Sequence, residues 1–217
     1  MKIFDMTQPL YHACPGWPTY EMTRFTYEKV LGVDGFTAER INMNSHTGTH
    51  LDAPYHFFAD GKTISDMPLD CFMGKAIIAD IRGIGAAQGI DAAHLRAHVD
   101  GMEPGCIVLL YTGWDKKRGF SKEYYNDWPY LSAEGARFLL DKGVKGVGID
   151  GMSVGGWYEG TGRPCHEILL GNGVWLLEEL TFPEELLKYK SCHLTAVPLK
   201  LEGFGGSPTR AYATVED

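Results

Sequence analysis

The sequence predicts an α/β fold, a single domain over residues 1–217 with an antiparallel arm near its N-terminus. Three observations carry that prediction. Long apolar runs at 106–112 and 144–149 have the length and β-branched content of strands buried on both faces. Helix-like segments opened by Asp91 and Ser132 alternate with those runs, as βαβ units require. Residues 23–30 and 36–43 instead alternate apolar and polar side chains, as antiparallel strands do.

Taken in order, 3–6 reads as a short strand, followed by an irregular stretch around Pro9, Pro15 and Pro18. The alternating segments 23–30 and 36–43 form a hairpin turning at Val33-Asp34-Gly35. Residues 75–81 are a buried strand. Asp91 caps a helix through about residue 99. Residues 106–112 are the strongest strand, and 113–130 form a long loop rich in Trp, Tyr and Lys, of the kind that often serves a site. Ser132 caps a helix over 133–142, which Gly143 stops. Strands follow at 144–149 and 174–177, the first ending at Asp150 and the second at Glu178. Pro183 opens a brief helix, and 194–201 and 211–215 are closing strands.

The chain has 217 residues, 44% of them hydrophobic, enough for a sizeable core. Its net charge of -8 argues against nucleic acid as a partner. No apolar run reaches membrane-spanning length, and no early segment has the build of a signal peptide. Five cysteines, an odd number with no close pair, read as reduced thiols in a cytoplasmic protein.

Chemistry is concentrated in His46-Thr47-Gly48-Thr49-His50-Leu51-Asp52, with His56 four positions on. Three imidazoles and a carboxylate within eleven residues suit Zn²⁺, Mn²⁺ or Fe²⁺. Gly48 and Pro54 argue against a helix. A straight strand would hold His46 and His50 ~13 Å apart, too far for one ion. The backbone is therefore expected to fold back at Thr47-Gly48-Thr49, bringing His46, His50 and Asp52 onto one ion. The absence of Cys from the cluster favours an open, catalytic site over a closed structural one. His56, beyond the ligand set, is the candidate general acid/base, because its ordinary pKa suits proton transfer near neutrality. No Gly-x-Ser-x-Gly elbow is present, which weighs against a serine hydrolase.

The run from His46 to His56 resembles the HxGTHxDxPxH signature of the cyclase family of metal-dependent hydrolases, which includes bacterial kynurenine formamidase and isatin hydrolase. Weaker matches extend the resemblance: Gly148-Ile149-Asp150 with Ser153, His166 to Leu170, Leu177 to Leu180, and Gly206 to Arg210. It implies a β/β/α core of the swivelling, cyclase-like kind carrying the site, and a homodimer or homotetramer. It also implies one or two divalent ions per chain, Zn²⁺ or Mn²⁺. Asp52 would bridge to a second ion completed by a His and a Glu twelve residues apart, the spacing of His166 and Glu178. The family usually reads Glu-Asn-Leu where this chain has Glu178-Glu179-Leu180, so Glu179 stands as the alternative ligand.

The reaction expected is hydrolysis of an amide C–N bond by metal-activated water, on a small-molecule substrate. An arylformamide such as N-formylkynurenine leads, with a cyclic amide of the isatin type or a lactone as alternatives. A non-catalytic metal-binding or ligand-binding protein is the rival class. Trp17, Tyr20 and Phe57 are the foremost candidate substrate walls, with Tyr55, Phe58, Trp157 and Tyr158 behind them.

Overall fold

Buried apolar runs and short polar turns build the chain into a closed sheet with helices on one side, in a computed structural model that describes residues 1–216. The elements are β1 (Lys2–Asp5), β2 (Arg24–Lys29), α1 (Leu31–Asp34), β3 (Ala38–Asn42), β4 (His50–Asp52) and β5 (Met73–Asp80). There follow β6 (Gly89–Ile90), α2 (Ala92–Val99), β7 (Ile107–Tyr111), α3 (Lys122–Asn126), β8 (Tyr130–Leu131) and α4 (Ala133–Asp141). The chain continues through β9 (Gly146–Ile149), α5 (Arg163–Leu170), β10 (Trp175–Glu178), β11 (Ser191–Pro198) and β12 (Gly206–Val215).

The main sheet runs β1-β12-β11-β5-β7-β9-β10-β4, and β4 also pairs with β12. That second pairing closes the sheet into a barrel, with β1 as an extra strand beside β12. Pairings β5–β7–β9–β10 are parallel; the rest of the sheet is antiparallel. Period-two alternation splits each central strand between two cores. Ile107, Leu109 and Tyr111 join Leu51, Leu177, Leu194 and Ala213 in the barrel interior. Val108 and Leu110 face outward with Leu176, against Leu95, Leu139 and Leu169 of α2, α4 and α5. This is the mixed α/β core that the sequence predicts.

The expected helix caps are in place. Asp91 Oδ1 accepts from the backbone N–H groups of Ala93 and His94, and Ser132 Oγ from that of Gly135. Besides the unforeseen helix α5, the sequence reading needs four corrections. The hairpin turns through the single helical turn α1, because the Asp34 carboxylate accepts from Val30 N and Gly35 ends the turn at φ +78°. Pro183 opens no helix; one 3₁₀ turn forms later, at Leu186–Lys188. The strand expected at 194–201 lies at Ser191–Pro198, and the last strand starts at Gly206, because Gly206 and Pro208 disguise its beginning. The 113–130 loop contains α3, capped by Ser121 Oγ, and buries Trp114, Tyr124 and Trp128 as a third apolar cluster.

Candidate metal centre and active site

Strand register puts the first candidate ligands together. Leu51 points into the barrel, so His50 and Asp52 on the same strand face outward. β10 pairs antiparallel with β4, and Glu178 lies directly opposite His50. Leu177 is interior, so Glu178 shares the outer face with His50 and Asp52.

The turn before β4 brings in His46. Gly48 has φ +67°, a left-handed conformation, and a Cβ there would lie 2.6 Å from Leu10 Cδ2. The fold-back expected at Thr47-Gly48-Thr49 is therefore present, and it makes His46 a neighbour of Asp52 at 2.7 Å (Nδ1 to Oδ1). Behind His46 stands Gly206, the partner of Asp52 in β12. A Cβ on Gly206 would meet His46 Cε1 at 2.4 Å, so only glycine leaves room for the ring.

His166 arrives from α5, which packs over β10. Its Nδ1 donates to Gly162 O at 2.8 Å, and His50 Nδ1 likewise donates to Gly48 O at 2.8 Å. Each bond occupies Nδ1 and leaves Nε2 facing the cluster, the nitrogen that a cation would take in place of a proton. Phe57 stacks on the His166 ring at 4.7 Å and 15°. His50 Nε2 lies 3.4 Å and His166 Nε2 3.3 Å from the Glu178 carboxylate; His166 Nε2 is 3.8 Å from Asp52 Oδ2.

Two triads result, His46/His50/Asp52 and Asp52/His166/Glu178, each with ligand atoms within 4.8 Å of one another. Ligands at ~2.0–2.2 Å from one ion can be no farther apart than about 4.4 Å, so small adjustments seat a cation in either. His50 Nε2 and Asp52 Oδ2 are buried without a hydrogen-bond partner, a costly state that a cation relieves. Burial opposes charge on His50, yet Glu178 and Asp52 hold its pKa up to about 9. Burial likewise opposes charge on Glu178, yet His166 and His50 hold its carboxyl well below the usual range. Nitrogen and carboxylate donors of this kind fit Zn²⁺ or Mn²⁺.

Glu179 is not in either triad. Its carboxylate accepts from Gly48 N at 3.2 Å and Arg118 Nε at 3.3 Å, which decides the choice between Glu178 and Glu179 for the cluster in favour of Glu178.

A cavity of about 600 Å³ opens over the cluster. His56, on the 3₁₀ turn Pro54–His56, stacks on His46 at 4.1 Å and lines this cavity. Burial pulls its pKa down to about 4, against the pull of Asp52, so the ring is neutral near pH 7. Trp17, Tyr20 and Phe57 line the cavity as expected, with Trp157 and Tyr158. Tyr55 and Phe58 do not: Tyr55 is exposed to solvent, and Phe58 packs into the helix-side core.

The model of the cyclase family matches residues 4–155. Kynurenine formamidase from Bacillus cereus is 31% identical over 211 residues, covering 95% of this chain and 94% of that one. The chain belongs to the cyclase family. Among solved structures, a Bacillus stearothermophilus protein described as a predicted metal-dependent hydrolase is 29% identical, with TM-score 0.79 over 98% of this chain and 97% of that one. Isatin hydrolase A from Labrenzia aggregata, bound to benzyl benzoate, has TM-score 0.90 at 24% identity, over 100% and 94% of the two chains, a likeness of fold.

The weaker motifs of this cyclase-family chain have local causes. Ser153 Oγ donates to Glu178 Oε1 at 2.8 Å, and Val154 N to the same oxygen at 2.7 Å, so the 150–154 segment orients that carboxylate. Asp150 accepts from Thr112 and from Trp114 N, tying the ends of β9 and β7 together. Sequence reasoning named Glu179 only as an alternative ligand and gave no role to Arg118 or Arg163. Arg163 borders the cavity with its guanidinium over Phe57 at 5.3 Å. The available signals were the doubled acid after an apolar strand, and the first residue of a helix that the sequence reading did not foresee.

Proposed function

We propose that this cyclase-family chain is a metal-dependent hydrolase of an aryl formamide, releasing the aryl amine and formate, with N-formylkynurenine as the leading substrate. The observation that carries the proposal is the pair of triads sharing Asp52 beneath an aromatic-walled cavity. The kynurenine formamidases among its relatives support the choice of substrate. In this reading His46, His50 and Asp52 hold one divalent ion, Zn²⁺ or Mn²⁺, and Asp52, His166 and Glu178 hold a second. A bound cation supplies an acidified water and polarises the scissile carbonyl.

The remaining work falls to side chains. Trp17, Tyr20 and Phe57 offer an aromatic wall to the aryl group. His56 is neutral and stands beside His46, so it can take the proton from the attacking water and return it to the departing nitrogen. The isatin-type cyclic amide is the second reading, favoured by the close likeness of fold to isatin hydrolase A. It calls for the same residues, with the amine left tethered to the product.

Two further expectations belong to this reading. The hairpin β2–β3 exposes Tyr27, Leu31, Val33, Phe36 and Ile41 and has no buried residue, as suits a contact in a homodimer or homotetramer. Five free cysteines suit the cytoplasm. Among the described residues no helix is long and apolar enough to cross a membrane. The deciding experiment is metal analysis of purified protein alongside turnover of N-formylkynurenine and isatin. Metal-free protein that keeps full activity would refute the metal mechanism. Turnover of isatin alone would move the assignment to the second reading.

A further inference from the structure

Glu179 has a conformation and a set of contacts that its neighbour Glu178 does not explain. It is a non-glycine residue at φ +51°, and its side chain is only 2% exposed. Long side chains rarely adopt that backbone, so surrounding contacts must impose it. Those contacts are several. The backbone N–H of Glu179 donates to Gly151 O, and Thr49 Oγ1 donates to Glu179 O at 2.6 Å. One carboxylate oxygen accepts from Gly48 N; the other accepts from Arg118 Nε and, at 3.5 Å, from the Tyr124 hydroxyl. Arg118 is itself only 7% exposed in this pair, and donates further to Pro9 O and Pro15 O.

The bonded segments all border the candidate site. Gly48 and Thr49 are the turn between His46 and His50. Glu179 follows Glu178 directly. The stretch around Pro15 leads to Trp17 in the cavity wall. Arg118 comes from the long loop after β7, in a different part of the chain. A buried carboxylate without a partner is unstable, so Glu179 requires Arg118, and Arg118 in turn requires Glu179.

We propose that the Arg118–Glu179 ion pair is a positioning device that holds the His46–His50 turn at a fixed distance from Glu178, and so sets the affinity of the metal centre. Neither residue touches an ion or substrate in this scheme. Their effect passes through the Gly48 N–H and the end of β10. The inference rests on the metal-centre reading above.

The test is Mn²⁺ affinity, read from the free-ion signal in electron paramagnetic resonance, with folding checked by circular dichroism. Substitutions behind metal ligands cost 10–100-fold in affinity as a rule, so Glu179→Ala should weaken Mn²⁺ binding by about that much. Glu179→Gln keeps an acceptor for Gly48 N but leaves Arg118 without its ion-pair partner, so it should recover only part of the loss. Arg118→Met should weaken binding as well, and adding it to Glu179→Ala should cause little further loss, because the pair acts as one unit. Wild-type affinity in Glu179→Ala would overturn the proposal, as would losses that multiply in the double variant. If Glu179→Ala does not fold, Arg118→Met decides: weaker Mn²⁺ binding supports the device, and unchanged binding refutes it. A wild-type chain that binds no Mn²⁺ or Zn²⁺ overturns both this inference and the metal-centre reading; wild-type binding that survives in the variants overturns this inference alone.

Discussion

The two triads around Asp52 are built in opposite ways. His46, His50 and Asp52 lie within seven residues, and one turn with a left-handed glycine brings them together. His166 and Glu178 come from a helix and a strand that meet Asp52 only because β10 pairs with β4 and α5 packs over β10. A local triad depends on one backbone turn. An assembled triad depends on the register of the whole sheet. The first should fail to change in that turn or in the residues that brace it, Gly206 and Glu179; the second should fail also to any change that shifts the pairing of β10 with β4.

Asp52 belongs to both triads, so its loss should be largest. Asp52→Ala should bring bound Zn²⁺ or Mn²⁺ close to zero by elemental analysis and abolish turnover. Retention of one tightly held ion would show that one triad does not need the bridge. Next come the candidate ligands that the triads do not share. His46→Ala and His166→Ala should each lower metal content from near two ions per chain toward one, through different sites. If both variants lose all metal, the triads are one cooperative site and the contrast between them fails.

His56 should behave unlike any ligand. His56→Ala should keep its metal and lower kcat by ~10²–10⁴-fold, the usual size of a general acid/base contribution. Substrates with better leaving groups should suffer less. Loss of metal in this variant would move His56 into the local triad. The smallest effect should come from the arm. Val33 is 85% exposed, so Val33→Asp should change folding stability by no more than about 0.5 kcal/mol. It should nevertheless shift the oligomer toward monomer in light scattering. An unchanged assembly would mean that this part of the hairpin is outside the contact.

The same division explains what was legible in the sequence. The local triad could be argued from strand rise and ligand distance, because all its geometry lies in one short run. The assembled triad could not. Nothing in the sequence around His166 announces α5 as its helix, and only the family resemblance paired His166 with Glu178. Supporting residues were harder still. Gly206 is needed because His46 occupies the space of its absent side chain, a relation between residues far apart in the chain. The central strands and the capped helices α2 and α4 were legible because apolar runs and Asp or Ser caps act locally. The start of β12 was hidden because Gly206 and Pro208 have poor strand propensity, and its pairing to β4 overrides them.

β4 is three residues long, yet it bonds to β10 on one side and to β12 on the other. A ribosome makes this strand early and its second partner, Gly206 to Pro208, late. Roughly 150 residues, on the order of 10 s of synthesis, separate the two at ordinary rates. For most of that interval the barrel is still open around the histidine-rich turn. Any cation captured before α5 and β10 are made would be held by His46, His50 and Asp52 alone, a provisional nest that the later strands must close around.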